Sequence, residues 1–271
     1  MQTLSEIKAL LAERGVRPSH RLGQNFLHDH NQLTKILDAA DIKSGDLVLE
    51  VGPGTGTLTE ALLDCGAEVI ASELDATMAS IVRERVGERV HLIEGDCLAR
   101  DRTLAPALID ALGQRTFKLV ANLPYQAATP LMIDLLVRRP HCTHQVALMQ
   151  REVVDRLLAP EGGREYGPIS VLTALFSHAH RVSIVPPGCF WPQPKVTSAV
   201  IHLQRNVAPP IDDAEAFADF LGDLFRSRRK QLGTILGRAN IPADIDPTLR
   251  PEALSPNRLL GLFQSGITPH E

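Results

Sequence analysis

The feature that most constrains this chain is a glycine-rich turn between an apolar run and a helical segment. Residues 47–51 are almost continuously apolar, as is typical of a strand covered on both faces. The sequence Gly-Pro-Gly-Thr-Gly follows at residues 52–56, and residues 57–63 continue with helical spacing. Glycines let a backbone approach a ligand closely, and a helix N-terminus offers free N–H groups. The arrangement therefore predicts a ligand-binding turn in an α/β protein.

Strand-like and helix-like segments go on alternating after this turn. Four further apolar runs occur at residues 68–72, 90–93, 117–121 and 145–149. This alternation predicts right-handed crossovers and a mostly parallel, Rossmann-like sheet with helices on both faces. Glu50, Glu73 and Asp96 fall at the ends of the first three runs. Because carboxyl ends of parallel strands share one edge, we expect these acids to meet where open α/β sheets bind ligands.

The spacing of the turn bears on which ligand it binds. A dinucleotide site uses Gly-x-Gly-x-x-Gly, whereas here the third glycine follows after one residue and Glu50 precedes the turn. The turn also has no Lys for a Walker-type phosphate site. A carboxylate at Glu73 can accept two hydrogen bonds from a ribose diol, and Asp96 can accept one from an adenine amine. The set looks like the class I S-adenosylmethionine-dependent methyltransferase fold; the alternative is a structural glycine turn with surface acids.

The tetrapeptide Asn122-Leu123-Pro124-Tyr125 follows the fourth run. Pro124 has no backbone N–H and a fixed φ, so a strand must stop there. An amide, free carbonyls and an aromatic ring can together hold a planar base that bears an exocyclic amine. The alternative is a polar turn in which Tyr125 is only a half-buried packing residue. The position favours the first interpretation, because amino methyltransferases carry an (Asn/Asp/Ser)-Pro-Pro-(Tyr/Phe) motif at the end of the fourth strand.

The variant with Leu in second place is similar to the ribosomal RNA adenine N6-dimethyltransferase family. Four further stretches resemble motifs of that family in the same order: Gly23-Gln24-Asn25-Phe26-Leu27, residues 50–56, Phe190-x-Pro192-x-Pro194-x-Val196-x-Ser198 and Phe225-x-x-Arg228-Arg229-Lys230. They extend from about residue 20 to about residue 230. The chain is identified as a member of this family, nearest its bacterial small-subunit branch.

The resemblance implies a methyl donor, a target and a set of site residues. The donor is S-adenosylmethionine, and the residues implied to bind it are Asn25, Leu27, Glu50, Gly52, Gly54, Glu73, Asp96 and Asn122. The target is N6 of two adjacent adenines in small-subunit ribosomal RNA, which are dimethylated during maturation of that subunit. The catalytic platform is then Asn122, Leu123, Pro124 and Tyr125, with Phe190 expected on the opposite face of the base.

RNA contacts are expected outside this pocket. The basic residues Arg226, Arg228, Arg229 and Lys230 are predicted to lie on a helix, with Lys195 and Arg21 as further candidates. The alternative for the four is an ordinary solvated surface. The formal net charge of −4 argues mildly against a nucleic-acid binder, but a local basic surface suffices to contact phosphates.

Composition and patterning predict two domains. At 271 residues and 44% hydrophobic, the chain can bury a sizeable core. Pro209-Pro210 reads as a linker between a catalytic domain, 1–205, and a small all-helical domain, 206–271. Within the first, we expect a helix at 166–176, a strand at 178–185, a proline-broken loop at 188–194 and a last strand at 195–203.

The cellular setting is predicted from the same composition. No apolar run approaches the ~20 residues of a membrane span, and the first 15 residues predict an amphipathic helix instead of a signal peptide. Scattered cysteines are typical of a reduced, cytoplasmic protein. We expect a monomer without a metal site or a membrane partner.

Three rival functions remain open from the sequence. The nearest is a large-subunit ribosomal RNA adenine N6-methyltransferase of the macrolide-resistance type, which carries the same motifs. The second is a non-catalytic ribosome-assembly or transcription factor on the same fold; intact Asn122 and Asp96 argue against lost catalysis. The third is an NAD-dependent enzyme, which the glycine spacing disfavours.

Overall fold

The computed structural model describes residues 2–19, 21–208 and 211–269. The predicted linker at Pro209-Pro210 lies outside these ranges. The chain divides into two compact units. The first comprises the residues up to 135 with 139–154 and 180–204, and the second comprises 136–138, 155–179 and the chain from 205 onward. Our division into a catalytic and a helical domain at residue 205 stays a prediction.

The secondary structure alternates as expected through the first half of the chain. The strands are β1 (Phe26–Leu27), β2 (Leu47–Val51), β3 (Glu68–Glu73), β4 (Val90–Glu94), β5 (Phe117–Asn122), β6 (Cys142–Gln150), β7 (Ser177–Val185), β8 (Phe190–Trp191) and β9 (Ser198–Arg205). The helices are α1 (Leu4–Glu13), α2 (His30–Ala40), α3 (Thr57–Asp64), α4 (Ala76–Val86), α5 (Pro106–Leu112), α6 (Tyr125–Arg138), α7 (Arg151–Leu157), α8 (Pro168–Phe176), α9 (Ala214–Arg226), α10 (Leu232–Ile235) and α11 (Pro256–Gln264).

The main sheet has seven strands in the order β4-β3-β2-β5-β6-β9-β7. The ladders from β4 through β6 are parallel, and β9 runs antiparallel to β6. The predicted α/β architecture with a mostly parallel sheet is therefore confirmed. Past residue 211 the described chain contains helices and no strand, as expected for the C-terminal part.

The strand order reverses between β2 and β5, and the two strands part there. Their ladder ends at the pair Leu49–Leu119. Beyond that point β2 stays paired with β3 as far as Val51, while β5 stays paired with β6 as far as Asn122. The carboxyl ends of β2 and β5 thus leave a crevice between them, which is where ligands bind in doubly wound sheets.

The burial of the strand and helix on either side holds the glycine turn of residues 52–56 in place. All five residues of β2 are buried, and Leu62 on α3 has no exposed surface. Asp75 is the N-cap of helix α4, and its side chain accepts from the N–H groups of Thr77 and Met78. Such a cap contributes about 1 kcal/mol, and truncating a buried Leu to Ala costs about 2–5 kcal/mol. These interactions fix the β2 and β3 ends that form one wall of the crevice.

A two-stranded sheet that the sequence analysis did not predict joins distant segments. β1 pairs antiparallel with β8, so that Phe26 lies opposite Trp191 and Leu27 opposite Phe190. The expectation of a plain loop at residues 188–194 is wrong at its centre. Each strand is only two residues long, and its partner is remote in sequence, so no local pattern reveals the pairing.

The second unit has its own aromatic core. Tyr166 donates from its hydroxyl to the Leu254 carbonyl at 3.0 Å, and its ring meets Phe225 edge-on at 6.1 Å. Tyr166 precedes helix α8, which begins at Pro168 and not at residue 166 as expected. None of the described helices has both the length and the apolar character needed to cross a membrane.

Candidate active site

A cavity of about 260 Å³ lies at the point where β2 and β5 part. All its lining residues belong to the first unit. They include the whole set that the resemblance assigned to the methyl donor: Asn25, Leu27, Glu50, Gly52, Gly54, Glu73, Asp96 and Asn122. They also include the expected platform and its partner: Leu123, Pro124, Tyr125 and Phe190. The fold thus brings together residues from six separate stretches of the sequence.

Two positions of the glycine turn require glycine for both backbone and space. Gly52 has φ 73°, and a Cβ there would lie 3.3 Å from Pro124 Cγ. Gly54 has φ 57°, and a Cβ there would lie 3.0 Å from Phe26 Cε1. A side chain at either position would meet both a disfavoured conformation and a neighbour. The turn therefore stays tight against the tetrapeptide on one side and β1 on the other.

Glu73 ties the glycine turn to the end of β3. Its Oε2 accepts from the Gly54 N–H and its Oε1 from the Asp75 N–H, each at 3.0 Å. Burial raises the pKa of this carboxyl, and the N–H donors oppose that shift. Because an ionised carboxylate offers about four acceptor positions, each oxygen retains capacity for a ligand hydroxyl.

Glu50 is the most deeply buried acid in the cavity wall. Its side chain is 1% exposed, and its Oε2 has no hydrogen-bond partner in the described structure. Burial raises the pKa of Glu50 to about 8; nearby Glu73 adds to the shift, whereas Thr59 opposes it. The carboxyl is therefore mainly protonated at neutral pH and can donate as well as accept. An unpartnered buried oxygen of this kind fits a wall that binds a polar ligand.

Asp96 stands on an exposed loop after β4. One of its oxygens accepts from the Leu98 N–H at 2.9 Å, which fixes the side chain at the cavity edge. The neighbouring Cys97 is buried, and burial raises the pKa of its thiol to about 12. Cys97 is thus a neutral packing residue and not a nucleophile at neutral pH.

The segment of residues 21–27, which we name the strap, lines the cavity. Asn122 Nδ2 donates to the Asn25 carbonyl oxygen at 3.1 Å. A carbonyl oxygen can only accept, so the NH₂ group must face Asn25 and Oδ1 must face the other way. Among the described residues nothing donates to that Oδ1. The strap thereby sets the orientation of the side-chain amide in the tetrapeptide.

Gln24 is a structural residue of the strap that the sequence analysis did not single out. Its Nε2 donates to Asp75 Oδ2 at 2.8 Å, and its Oε1 accepts from the Ser19 N–H at 2.7 Å. Asp75 in turn caps helix α4. Gln24 therefore fastens the strap to the β3–α4 loop. Its place within the motif of residues 23–27 could have marked Gln24 as a site residue. Its partner Asp75, however, is identified only by the three-dimensional structure.

The tetrapeptide itself joins strand to helix. The Leu123 N–H donates to the Leu148 carbonyl at 2.9 Å, which extends the β5–β6 ladder by one bond. Pro124 comes next with φ −57°, and Tyr125 is the first residue of α6. The predicted strand stop is confirmed, and Leu123 is buried at 2% exposure. Asn122 and Tyr125 remain partly exposed on the cavity wall.

The predicted RNA-binding residues lie in several places. Arg21 is exposed and lines the cavity mouth. Lys195 is exposed in the loop between β8 and β9 and is not among the lining residues. The remaining four, Arg226, Arg228, Arg229 and Lys230, belong to the second unit.

The helix predicted for these four residues is confirmed for Arg226 and wrong for the other three. Helix α9 ends at Arg226, Ser227 is its C-cap, and the next three residues form a turn in which the Lys230 N–H donates to the Ser227 carbonyl. Cations are favoured at a helix C-terminus, where they meet the free carbonyl groups. Arg226 pairs with Asp223 at 2.9 Å, while Arg229 and Lys230 are exposed.

The family model described as ribosomal RNA adenine dimethylase matches residues 17–246. The chain belongs to the ribosomal RNA adenine dimethylase family. This dimethylase is similar to the ribosomal RNA small subunit methyltransferase A of Nocardia farcinica, with 39% identity over 92% of this chain and 90% of the relative. The protein of the same name from Mycobacterium tuberculosis is 37% identical over 93% and 84%.

Solved structures agree with this placement. The dimethylase resembles a dimethyladenosine transferase from Plasmodium falciparum with a TM-score of 0.73 and 27% identity, over 90% of this chain and 99% of that one. It also shares its fold with the 23S rRNA methyltransferase ErmE, with a TM-score of 0.63 and 22% identity over 89% and 99%. The predicted class I methyltransferase fold and family are confirmed.

Proposed function

We propose that this chain transfers methyl groups from S-adenosylmethionine to N6 of adenine in small-subunit ribosomal RNA. Two adjacent adenines are dimethylated, and the reaction belongs to maturation of the small subunit. The observation that carries the proposal is the orientation of Asn122 in the cavity of a chain of the adenine dimethylase family. Its Nδ2 donates to the Asn25 carbonyl, which leaves Oδ1 free to accept from a ligand. The small-subunit assignment is supported by relatives such as the Nocardia farcinica enzyme.

The cavity fits a sulfonium nucleoside. Glu73 can accept from a ribose diol, and Asp96 can accept from an adenine amine at the cavity edge. Gly52 and Gly54 leave room for the methionine end beside the turn, where the α3 N-terminus supplies N–H groups. Asn25 and Leu27 lie on the strap, which closes this side of the cavity. When bound, S-adenosylmethionine supplies an activated methyl group.

The chain's own residues then orient the acceptor nitrogen. Adenine N6 is a poor nucleophile because its lone pair is delocalised into the ring. In the first transfer Asn122 Oδ1 and the Leu123 carbonyl accept from the two N6 hydrogens and favour a pyramidal nitrogen; in the second, one hydrogen remains to donate. The lone pair forms the new N–C bond as the methyl–sulfur bond breaks, and the N6 proton leaves to water. No side-chain base is needed, and most of the acceleration comes from positioning.

The base is held flat by rings. Tyr125 stacks on one face, and Phe190, which is 3% exposed on β8, lies on the other. Adenine must leave its own stack to enter the cavity. We further propose that the chain acts as a monomer on a small-subunit precursor in the bacterial cytoplasm, where ribosomal subunits are assembled.

Labelled methyl donor separates this function from its rivals. The protein is incubated with small subunits from cells that lack the modification and, separately, with unmodified large-subunit RNA. Label in small-subunit adenine alone is expected. Label in large-subunit RNA alone would favour the macrolide-resistance type, and no label with either RNA would favour the non-catalytic factor.

A further inference from the structure

Two arginines stand at the mouth of the cavity. Of the described residues that line it, Arg21 and Arg102 carry positive charge, whereas Glu50, Glu73 and Asp96 carry carboxyl groups. Arg21 was expected to contact RNA, but Arg102 belongs to none of the motifs that identify the family. Its position raises the question of what a guanidinium does at this mouth.

Arg102 is presented by a compact loop between β4 and α5. Leu98 and Leu104 form a β-bridge at its base, and the Arg102 N–H donates to the Ala99 carbonyl at 3.0 Å. Arg102 itself has φ 68°, a left-handed conformation that is uncommon for a residue with a side chain. The loop thus holds this side chain in a defined place even though the residue is exposed.

The guanidinium reaches the start of α6. Arg102 Nη2 donates to the Gln126 carbonyl oxygen at 2.9 Å, directly after Tyr125. The strap also approaches Tyr125, since a Cβ placed on Gly23 would lie 3.9 Å from the Tyr125 nitrogen. Arg21 is two residues before Gly23 on the strap. Both arginines therefore line the cavity on segments that come close to Tyr125, the residue on which the target base is proposed to stack.

The position of Arg102 gives less support to two other roles. A purely structural hydrogen bond from its loop to the start of α6 would use one of the five N–H donors of Arg102 and leave the other four in water. A contact to the methionine carboxylate would place Arg102 beside the glycine turn, whereas its loop begins at Asp96, on the adenine side. The free donors point instead to an anion that arrives from solvent.

We propose that Arg102, together with Arg21, holds the phosphates next to the target adenine at the cavity mouth. This rests on the proposed function. A base that leaves its stack to enter the cavity leaves its backbone phosphates at the mouth. There they come close to Glu73 and Asp96, which repel them, so cations at the rim offset the repulsion. A guanidinium also matches the geometry of a phosphate oxygen pair.

Three variants separate charge from structure. Arg102→Gln removes the charge and keeps a hydrogen-bond donor, although its amide ends two bonds short of the position of Nη2. Arg102→Lys keeps the charge. Arg100→Gln is the matched control, because Arg100 is exposed on the same loop and is not among the lining residues. Each is assayed for affinity and KM with a small-subunit RNA substrate and for S-adenosylmethionine affinity.

The charge-neutral variant is expected to lose RNA affinity only. Arg102→Gln should raise Kd and KM for RNA about tenfold and make the slope of log Kd against log salt shallower by about 0.7–0.9. Its affinity for S-adenosylmethionine should stay at the wild-type value. Arg102→Lys should recover most of the RNA affinity, and Arg100→Gln should behave as wild type.

Other results overturn the inference. Weaker binding of S-adenosylmethionine with unchanged RNA affinity would make Arg102 a donor-site residue. Equal losses in the Gln and Lys variants, with an unchanged salt slope, would make it a structural tie. Because RNA affinity is measured without turnover, a wild-type protein that binds this RNA but does not methylate it would overturn the proposed function alone.

Discussion

Asn122, which we propose to orient the substrate amine, has its own orientation set by another segment. Asn122 was predictable from its place after an apolar run and before Pro124. What the sequence could not show is the hydrogen bond from its Nδ2 to the Asn25 carbonyl, because the two residues are 97 positions apart. That bond leaves Oδ1 as the side of the amide that we propose accepts from a substrate amine.

Arg102 marks a limit of prediction at the same scale. A single arginine in a polar loop is typical of a solvated surface, and only the fold shows that this one reaches Gln126 at the cavity mouth. The acids were easier to predict, because strand ends in a parallel sheet share one edge. Glu50, Glu73 and Asp96 all line the cavity as expected, although their assigned ligand contacts stay predictions.

Glu50 gives a prediction about stability and pH. Burial raises its pKa from 4.5 to about 8, so its contribution to stability is greatest below the unfolded pKa and is lost as pH rises through the folded pKa. When the pH is raised from about 5 to about 9, the unfolding free energy of Glu50→Gln should therefore fall less than that of wild type. The difference between the two falls should be roughly 2–5 kcal/mol. Urea denaturation at both pH values measures this. Parallel losses in the two proteins would show that Glu50 does not titrate in this range.

Among the secondary-structure elements, the sequence predicted the strands that consist of continuous apolar runs. β2 to β6 are found within three residues of their expected ends, because buried parallel strands are continuous apolar runs. The last strand begins at Ser198, three residues later than expected. β8 and the end of α9 were missed, since a two-residue strand depends on its remote partner and a helix end depends on its cap.

The glycine turn can be tested with a matched pair of alanines. Gly54→Ala places a Cβ 3.0 Å from Phe26 Cε1 at φ 57°, so it should lower the unfolding free energy by about 1–3 kcal/mol and weaken donor binding at least tenfold. Gly222 lies inside α9 with no atom within 4 Å of its added Cβ. Gly222→Ala should therefore stabilise by about 0.5–1 kcal/mol and leave donor binding unchanged.

Thermal or urea unfolding together with calorimetric binding of S-adenosylmethionine checks both alanine variants. If Gly54→Ala kept full donor affinity, the turn would not approach the donor as proposed. A destabilising Gly222→Ala would show that the comparison does not isolate backbone strain.

For the whole molecule, strand order and the pairing of β9 lay beyond the sequence. Which strands are neighbours depends on crossovers and on contacts between remote segments, and periodicity gives only the class of fold. The crevice opens because the β2–β5 ladder ends at Leu49–Leu119, whereas β5 stays paired with β6 as far as Asn122–Leu148. The site residues were therefore predictable as a set, while the geometry that unites them was not.

Charge distribution gives a prediction at this scale. The chain carries a formal net charge of −4, so RNA must meet local basic surface. Changing the second-unit residues Arg226, Arg228, Arg229 and Lys230 to Gln should weaken RNA binding and make its log–log salt dependence shallower by up to about 3. Donor binding should not change. An unaltered salt dependence would assign these four residues to the solvated surface.

The central claim is that Asn122 presents N6 of a small-subunit adenine to the methyl donor. The most direct measurement is single-turnover methyl transfer to undermethylated small subunits by Asn122→Ala, with S-adenosylmethionine affinity measured on the same protein. Asn31→Ala, an exposed change on α2, is the control. We predict a loss of at least about a hundredfold in the transfer rate with donor binding still measurable, and a control that matches wild type. Near-normal transfer by Asn122→Ala would contradict the account.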